Sequence, residues 1–213
     1  MLLNKVRTRI MRHLGMTKVL WRYRQNGVYC FNFHRIGDAD KCQYDPNVFS
    51  CSAKDLTKHL DFIKNNFEII NQERFIEIIE STQVVDKKLA YITFDDGYLD
   101  NYQLAFPILT AMKIPATFFV ATGLIESQTI PWWDEIAWHI KQCDLNELKL
   151  PSWNKVITLS AKNKSENIRQ VLSQFKSAST QIEAQLVELR SITGLSLSHY
   201  TSEFMTWAQL LEM

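Results

Sequence analysis

An apolar run that ends in two adjacent carboxylates limits what this chain can fold into more than any other feature. Residues 89–94 are apolar, β-branched or aromatic, which predicts a strand buried on both faces. Asp95 and Asp96 follow directly, and Gly97 comes next. Asp-Asp-Gly alone is also a common turn sequence, but Gly additionally permits a close backbone approach to a ligand. The pattern therefore predicts a carboxylate pair at the end of a buried strand.

The composition is that of a folded globular protein. The chain has 213 residues, of which 46% are hydrophobic, 22% charged and 12% aromatic, enough for one domain with a sizeable core or for part of a larger one. The net charge of +1 gives no indication of nucleic-acid binding. The cysteines show no C-x-x-C spacing, which favours free thiols in a reducing compartment. We therefore expect a cytoplasmic protein. The cysteines are Cys30, Cys42, Cys51 and Cys143.

Residues 1–27 are predicted to form a basic helical segment. This segment contains seven Lys and Arg residues and no acidic residue. The simplest interpretation is a solvated basic helix, and the alternative is a surface helix peripheral to a membrane, in contact with anionic lipid or polysaccharide. An organellar targeting peptide also stays open, although Ser is absent from the segment. No apolar run in the sequence has the length that a membrane-spanning helix needs.

Strands and helices are predicted to alternate over residues 28–124, which favours an α/β fold with a parallel sheet or barrel. Ligands of such folds bind at the C-terminal ends of the strands. That rule places His34, Asp95, Asp96 and Thr122 on one rim. The predicted strands are 28–33, 67–70, 89–94 and 115–121, with His34 to Gly37 as a polar loop, a helix that begins with the Ser52 and Asp55 capping box, a helix over 74–80, and a helical stretch over 101–112.

The alternation stops after Gly123. Residues 125–203 are predicted to form a mainly helical insertion, in which 165–190 is one long amphipathic helix and 156–159 a strand. Thr206 and Gln209 then predict a capping box at the start of another helix. Residues 204–213 are thus expected to resume the fold of residues 28–124.

The residues around the carboxylate pair resemble those of the polysaccharide deacetylase family, of the NodB-homology or carbohydrate esterase type. The similarity covers roughly residues 28–135, and residues 132–135 resemble an insertion seen in one subgroup. The residues that carry it are Tyr91 to Tyr98, Asp100-Asn101-Tyr102, Ile114 to Gly123, Phe33 to Gly37 and, more faintly, Phe204 to Leu210.

The resemblance implies an incomplete, distorted (β/α) barrel that removes acetyl groups from nitrogen or oxygen of a carbohydrate, either a polysaccharide or a lipid-linked sugar. It implies Asp95 as the catalytic base and Asp96 as a ligand of a divalent metal, most often zinc. Gly97, Tyr98 and His34 would lie in the substrate and oxyanion region. This assignment is chemically sound, because a bound cation acidifies water and a nearby carboxylate accepts the proton.

The metal-binding histidines of the family have no counterpart in this sequence. Catalytic zinc takes three protein ligands, and the family supplies two from a His-x-x-x-His motif after a helix resembling residues 206–213. No two of the five histidines, His13, His34, His59, His139 and His199, are four residues apart. We therefore expect a truncated deacetylase that binds zinc weakly and is inactive. A non-catalytic carbohydrate-binding or scaffold protein is one alternative, and a membrane-surface or assembly module is another.

Overall fold

The computed structural model describes residues 23–81, 84–177, 181–197 and 200–213. Most of the predicted basic segment lies outside these ranges, so its helical character and its membrane contact stay predictions. None of the helices in the described ranges is both long enough and apolar enough to cross a membrane.

Four parallel strands form the central sheet, and β5 is its middle strand. β1 pairs with β5 along its length, with Gly27 opposite Lys88 and Phe33 opposite Phe94. β4 and β6 share the other edge of β5, where β4 pairs with residues 89–91 and β6 with residues 93–96. The strands are β1 (Gly27–Phe33), β2 (Arg35–Ile36), β3 (Phe49–Cys51), β4 (Glu68–Ile70), β5 (Lys88–Asp96), β6 (Thr117–Val120), β7 (Glu147–Leu148) and β8 (Ile157–Thr158).

Helices follow the strands of the sheet, as the alternating pattern predicted. The Ser52 side chain accepts a hydrogen bond from the Asp55 amide and so begins α1, which confirms that predicted cap. The stretch 101–112 divides into a π-helical turn, Asn101–Ala105, and α3, with Pro107 in the first turn of α3. The helices are α1 (Ala53–Asn66), α2 (Gln72–Glu80), α3 (Phe106–Met112), α4 (Trp132–Gln142), α5 (Lys164–Ser177), α6 (Ile182–Thr193) and α7 (Trp207–Glu212).

One face of the sheet packs against α1 and α3. Phe94 is fully buried there and stacks between Phe33 and Phe118, at centroid distances of 5.2 and 5.0 Å. Leu56 and Leu60 of α1 pack into the same cluster. The predicted α/β class with a parallel sheet is thus confirmed, and within the described residues the sheet forms part of a barrel.

The opposite face of the sheet changes character along the strands. Near the start of β5, Leu89 and Tyr91 are buried, and Tyr91 stacks on Phe75 of α2 at 4.1 Å. Side chains alternate between faces, so Thr93 and Asp95 continue this same face. The apolar side chains near the start of β5 therefore pack against α2, and the polar end of the same face carries the Asp95 carboxylate.

Helices α4, α5 and α6 enclose a second core. Ile140 of α4, Phe175 of α5 and Leu189 of α6 are fully buried in it. The single helix predicted over 165–190 is wrong, because two helices occupy this stretch. Gln181 has a non-helical backbone (φ −128°), and the sequence before it is rich in Ser and Thr, which form helices poorly. The insertion boundaries 125–203 and the other domain boundaries stay predictions.

Candidate active site

Asp95 is held at the end of β5 by an amide from the neighbouring strand. Asn32 Nδ2 donates hydrogen bonds to Asp95 Oδ2 at 2.8 Å and to Thr93 Oγ1 at 3.0 Å. Asn32 lies opposite Thr93 in the strand pairing, which places its amide level with the carboxylate. The sequence interpretation missed Asn32, although one polar residue in an otherwise aromatic strand was a usable signal. The amide fixes the direction of one carboxylate oxygen and leaves the group reachable from solvent.

His34 lies beside Asp95, as the rim prediction expected. Its Nε2 is 3.9 Å from Asp95 Oδ2, too far for a direct hydrogen bond, and both side chains are partly exposed. The backbone around the imidazole is fixed, because the His34 amide donates to Ser50 Oγ and its carbonyl accepts from Asn101 Nδ2 at 2.7 Å. The structure therefore brings His34 and the carboxylates together on a rigid support.

Asp96 has a backbone conformation that is rare for residues other than glycine. Its φ is +76°, and Gly97 follows with φ +83°. Such strain is common at functional sites, where the surrounding structure maintains it. Burial raises the pKa of the Asp96 carboxyl, nearby His34 lowers it, and Asp95 raises it slightly further. The turn thus places a second, partly buried carboxylate next to Asp95.

Gly97 fits where a larger residue would not. A Cβ on this residue would lie 3.0 Å from Cγ1 of Val120. The following side chain, Tyr98, is fully buried, stacks on Phe204 at 4.6 Å, and accepts a hydrogen bond from Trp133 Nε1 at 3.2 Å. Burial raises the pKa of its phenol. Only the backbone of Tyr98 is therefore a candidate for the predicted oxyanion region.

A buried arginine, Arg35, contacts residues that follow the turn formed by Asp96 and Gly97. Arg35 was predicted to lie in a polar loop, and this is wrong, because it belongs to the short buried strand β2. Its Nε donates to Asp100 Oδ2 at 2.8 Å, its Nη1 pairs with Glu203, and its guanidinium lies 4.6 Å from the Tyr98 ring centroid. Burial alone would lower the pKa of Arg35, but the two carboxylates raise it. This network ties β2, the turn and residues near 203 together.

A shallow cleft of about 470 Å³ opens over the carboxylates. Asn32, Asp95 and the aromatic ring of Phe119 contribute to its walls, and Phe119 is 54% exposed. Thr122, predicted on the same rim, lies just after these residues in a short 3₁₀ turn. The lining residues are Asn32, Thr93, Asp95, Asp96, Phe119, Val120 and Ala121.

The described residues do not form a complete site for a catalytic metal. Among them, no group of three or more His, Cys, Asp or Glu side chains is placed to hold an ion. Asp96 and His34 are the nearest candidates, whereas catalytic zinc takes three protein ligands. His139 lies elsewhere, buried between Glu135 and Thr193, and His199 and His13 fall outside the described residues.

Comparison with known proteins identifies similar sequences and structures. Over 113 residues the chain is 29% identical to a poly-beta-1,6-N-acetyl-D-glucosamine N-deacetylase of Staphylococcus aureus, an alignment covering 48% of this chain and 38% of that protein. The chain thus spans less than half the length of this curated relative. Among solved structures, IcaB from Ammonifex degensii is similar with a TM-score of 0.44 and 16% identity, covering 87% of this chain and 90% of that one.

A second solved structure is a de-N-acetylase from Aggregatibacter actinomycetemcomitans, with a TM-score of 0.40 and 20% identity over 69% of this chain and 51% of that one. The family described as polysaccharide deacetylase matches residues 82–201, which is more than half of the chain. This match spans the carboxylate turn and helices α3 to α6. The chain therefore belongs to the polysaccharide deacetylase family.

Proposed function

We propose that this chain carries the acidic part of a site that hydrolyses acetyl groups on a carbohydrate. The observation that supports this most directly is the Asn32–Asp95 hydrogen bond at the open cleft. An amide that holds one carboxylate oxygen leaves the other free to accept a proton. Asp95 lies at the C-terminal end of a parallel strand, where α/β folds bind their substrates.

In this proposal Asp95 is the general base. The oxygen of a water molecule bonds to the acetyl carbonyl carbon while Asp95 accepts the water's proton. The bond from that carbon to the sugar nitrogen or oxygen then breaks, and the leaving group takes up a proton as acetate is released. Backbone N–H groups near Tyr98 are the proposed donors to the developing oxyanion.

Asp96 is the proposed metal ligand, and its position next to His34 supports that role. The described residues supply too few donors for a catalytic zinc site. We therefore infer that the 213-residue chain alone binds zinc weakly and does not release acetate. Calorimetric titration with zinc should give weak binding that Asp96→Ala removes. Tight one-to-one zinc binding that Asp96→Ala abolishes would contradict this inference.

A non-catalytic carbohydrate-binding protein is the second candidate. The described part of the chain gives Asp96 an incomplete set of metal donors, which favours this candidate, since a cleft can bind a sugar without a metal. The two candidates share a ligand class and differ in whether acetate is ever released.

An NMR titration of the ¹⁵N-labelled chain with a β-1,6-linked N-acetylglucosamine oligomer tests the proposed location. The oligomer is chosen because the similar Staphylococcus aureus protein is named for that polymer. We expect shifts at Asn32, Asp95 and Asp96, and a smaller response to the deacetylated oligomer. Shifts confined to another surface, or none, would refute a carbohydrate site at this cleft.

Acetate measurement on the same samples tests the inferred inactivity, and the comparison of the two oligomers separates the two candidates. No release from the chain alone, with or without added zinc, is the expected result. Release that Asp95→Asn abolishes would show that the chain is a complete enzyme, against the inferred inactivity. Acetyl-independent oligomer binding without release would favour the non-catalytic candidate.

A further inference from the structure

Phe119 is a large apolar side chain left open beside the carboxylates. Its neighbour Phe118 points to the opposite face and stacks on Phe94 in the core at 5.0 Å. Phe119 lies opposite Asp95 in the pairing of β6 with β5, so the two residues share the open face. The ring is 54% exposed. Strand register thus places this aromatic ring on the same face as the proposed base and level with it.

Several hydrogen-bonding groups share the cleft with this ring. Asn32, Thr93 and Asp95 lie on the same face and line the same cleft of about 470 Å³. A site that combines an apolar surface with a few convergent polar groups is the usual form of a small-molecule site. A sugar ring has the matching chemistry, because its C–H face is apolar and its edge carries hydroxyl groups.

We propose that Phe119 is a stacking platform for a sugar ring bound next to Asp95. The apolar face of the sugar lies on the phenyl ring, and hydroxyl or acetamido groups reach the amide and carboxylate of Asn32 and Asp95. This inference rests on the proposed function and adds to it the side chain that positions the carbohydrate. Since an aromatic face does not detect an acetyl group, the contact serves acetylated and free sugars alike.

The test compares oligomer binding by the wild-type chain, Phe119→Ala and Phe119→Trp. The probes are a β-1,6-linked N-acetylglucosamine oligomer and its fully deacetylated form, with affinities from NMR titration. Phe119→Ala should weaken binding of both probes by about tenfold, as expected for the loss of one aromatic contact. Phe119→Trp should retain binding. Phe62→Ala, which removes a partly exposed ring on α1, is the matched control and should bind as wild type.

Two results would overturn the proposal. One is equal binding by the wild-type chain and Phe119→Ala, and the other is no binding of either oligomer by a folded wild-type chain. Because the Phe119 ring is largely exposed, its replacement should leave the fold intact. Thermal unfolding of each variant checks that an effect on binding is not due to misfolding.

The outcome is separable from that of the proposed function. If oligomer binding depends on Phe119 but Asp96→Ala does not change zinc binding, the stacking platform is supported and the assignment of Asp96 as a metal ligand is refuted. If Phe119→Ala still binds the acetylated oligomer at Asp95 in preference to the deacetylated one, the proposed function is supported and the stacking platform is refuted.

Discussion

At the scale of single residues, the candidate site depends on a backbone turn that few residues can adopt. Asp96 and Gly97 both have positive φ, and the carbonyl of Asp96 accepts a hydrogen bond from the amide of Ala121. The carbonyl of Gly97 accepts one from Met205. These bonds maintain a turn that an isolated chain would avoid. The orientation of the carboxylates is therefore linked to folding stability at this position.

Gly97→Ala should destabilise the protein by about 1–3 kcal/mol, because alanine is strained at positive φ and its Cβ would meet Val120 at 3.0 Å. The contact is with a branched side chain at the end of β6 in the sheet, which cannot move away freely. Urea unfolding followed by circular dichroism measures the change. Gly123→Ala is the control, because its φ is outside the left-handed region and no atom of the described residues lies within 4 Å of the added Cβ. It should change stability by less than about 0.5 kcal/mol. Equal stability of the two variants would contradict the role assigned to Gly97.

At the scale of elements, the short strand β2 contributes more to the stability of the fold than its two residues suggest. Asp100 accepts hydrogen bonds from the Ile36 amide at 2.8 Å and from Arg35 Nε at 2.8 Å, so β2 is fixed to the turn after β5 by side chain and backbone together. The Arg35 guanidinium also lies 4.5 Å from the ring centroid of Phe49, the first residue of β3. The arginine thus connects three segments that are distant in sequence.

Arg35→Ala should lower the free energy of unfolding by about 3–5 kcal/mol, because it leaves the buried carboxylate of Asp100 without its partner. Chemical unfolding monitored by tryptophan fluorescence measures the loss. Arg74→Ala is the matched control, since Arg74 pairs with Glu77 on the exposed surface of α2 at 2.9 Å. That variant should lose less than about 1 kcal/mol. A loss below about 1 kcal/mol in Arg35→Ala would show that the network is not structural.

At the scale of the whole molecule, the sequence predicted local features better than long-range ones. The strand that ends in Asp95 and Asp96 was predictable, because hydrophobic pattern and motif agree there. The caps at Ser52 and Thr206 were predictable for the same reason, since each depends on residues three apart. The Arg35–Glu203 pair and the Asn32–Asp95 bond were not, because each joins segments that only tertiary folding brings together.

The contact between the helical region and the sheet contains an unusual buried carboxyl group. Asp134 of α4 is fully buried, and among the residues that the structure describes neither of its side-chain oxygens has a hydrogen bond of ordinary geometry, although the Asp45 amide approaches it. Burial raises its pKa to about 7, while nearby Arg35 lowers it and Glu203 raises it. Trp133, the preceding residue, bonds to Tyr98 below the carboxylate turn. We therefore expect the protonation of Asp134 to affect the stability of the contact between the helical region and the sheet.

The sign of the effect follows from the two protonation states. The folded protein keeps a proton on Asp134 up to about pH 7, whereas an unfolded aspartate releases it near its ordinary value of 3.8. Between these values the folded state binds more protons, so stability declines as pH rises through this window. From pH 5 to pH 8 the contribution of this one group is about 2–3 kcal/mol.

Asp134→Asn should remove this decline, because the amide has nearly the same shape and does not ionise. The measurement is the free energy of unfolding of both proteins in urea at pH 5 and pH 8, with the variant gaining on wild type at the higher pH. Asp144→Asn is the control, since Asp144 is exposed, and it should keep the wild-type pH dependence. If wild type and Asp134→Asn lose stability in parallel, Asp134 is ionised in the folded protein at pH 5, and its burial does not couple the two parts to pH.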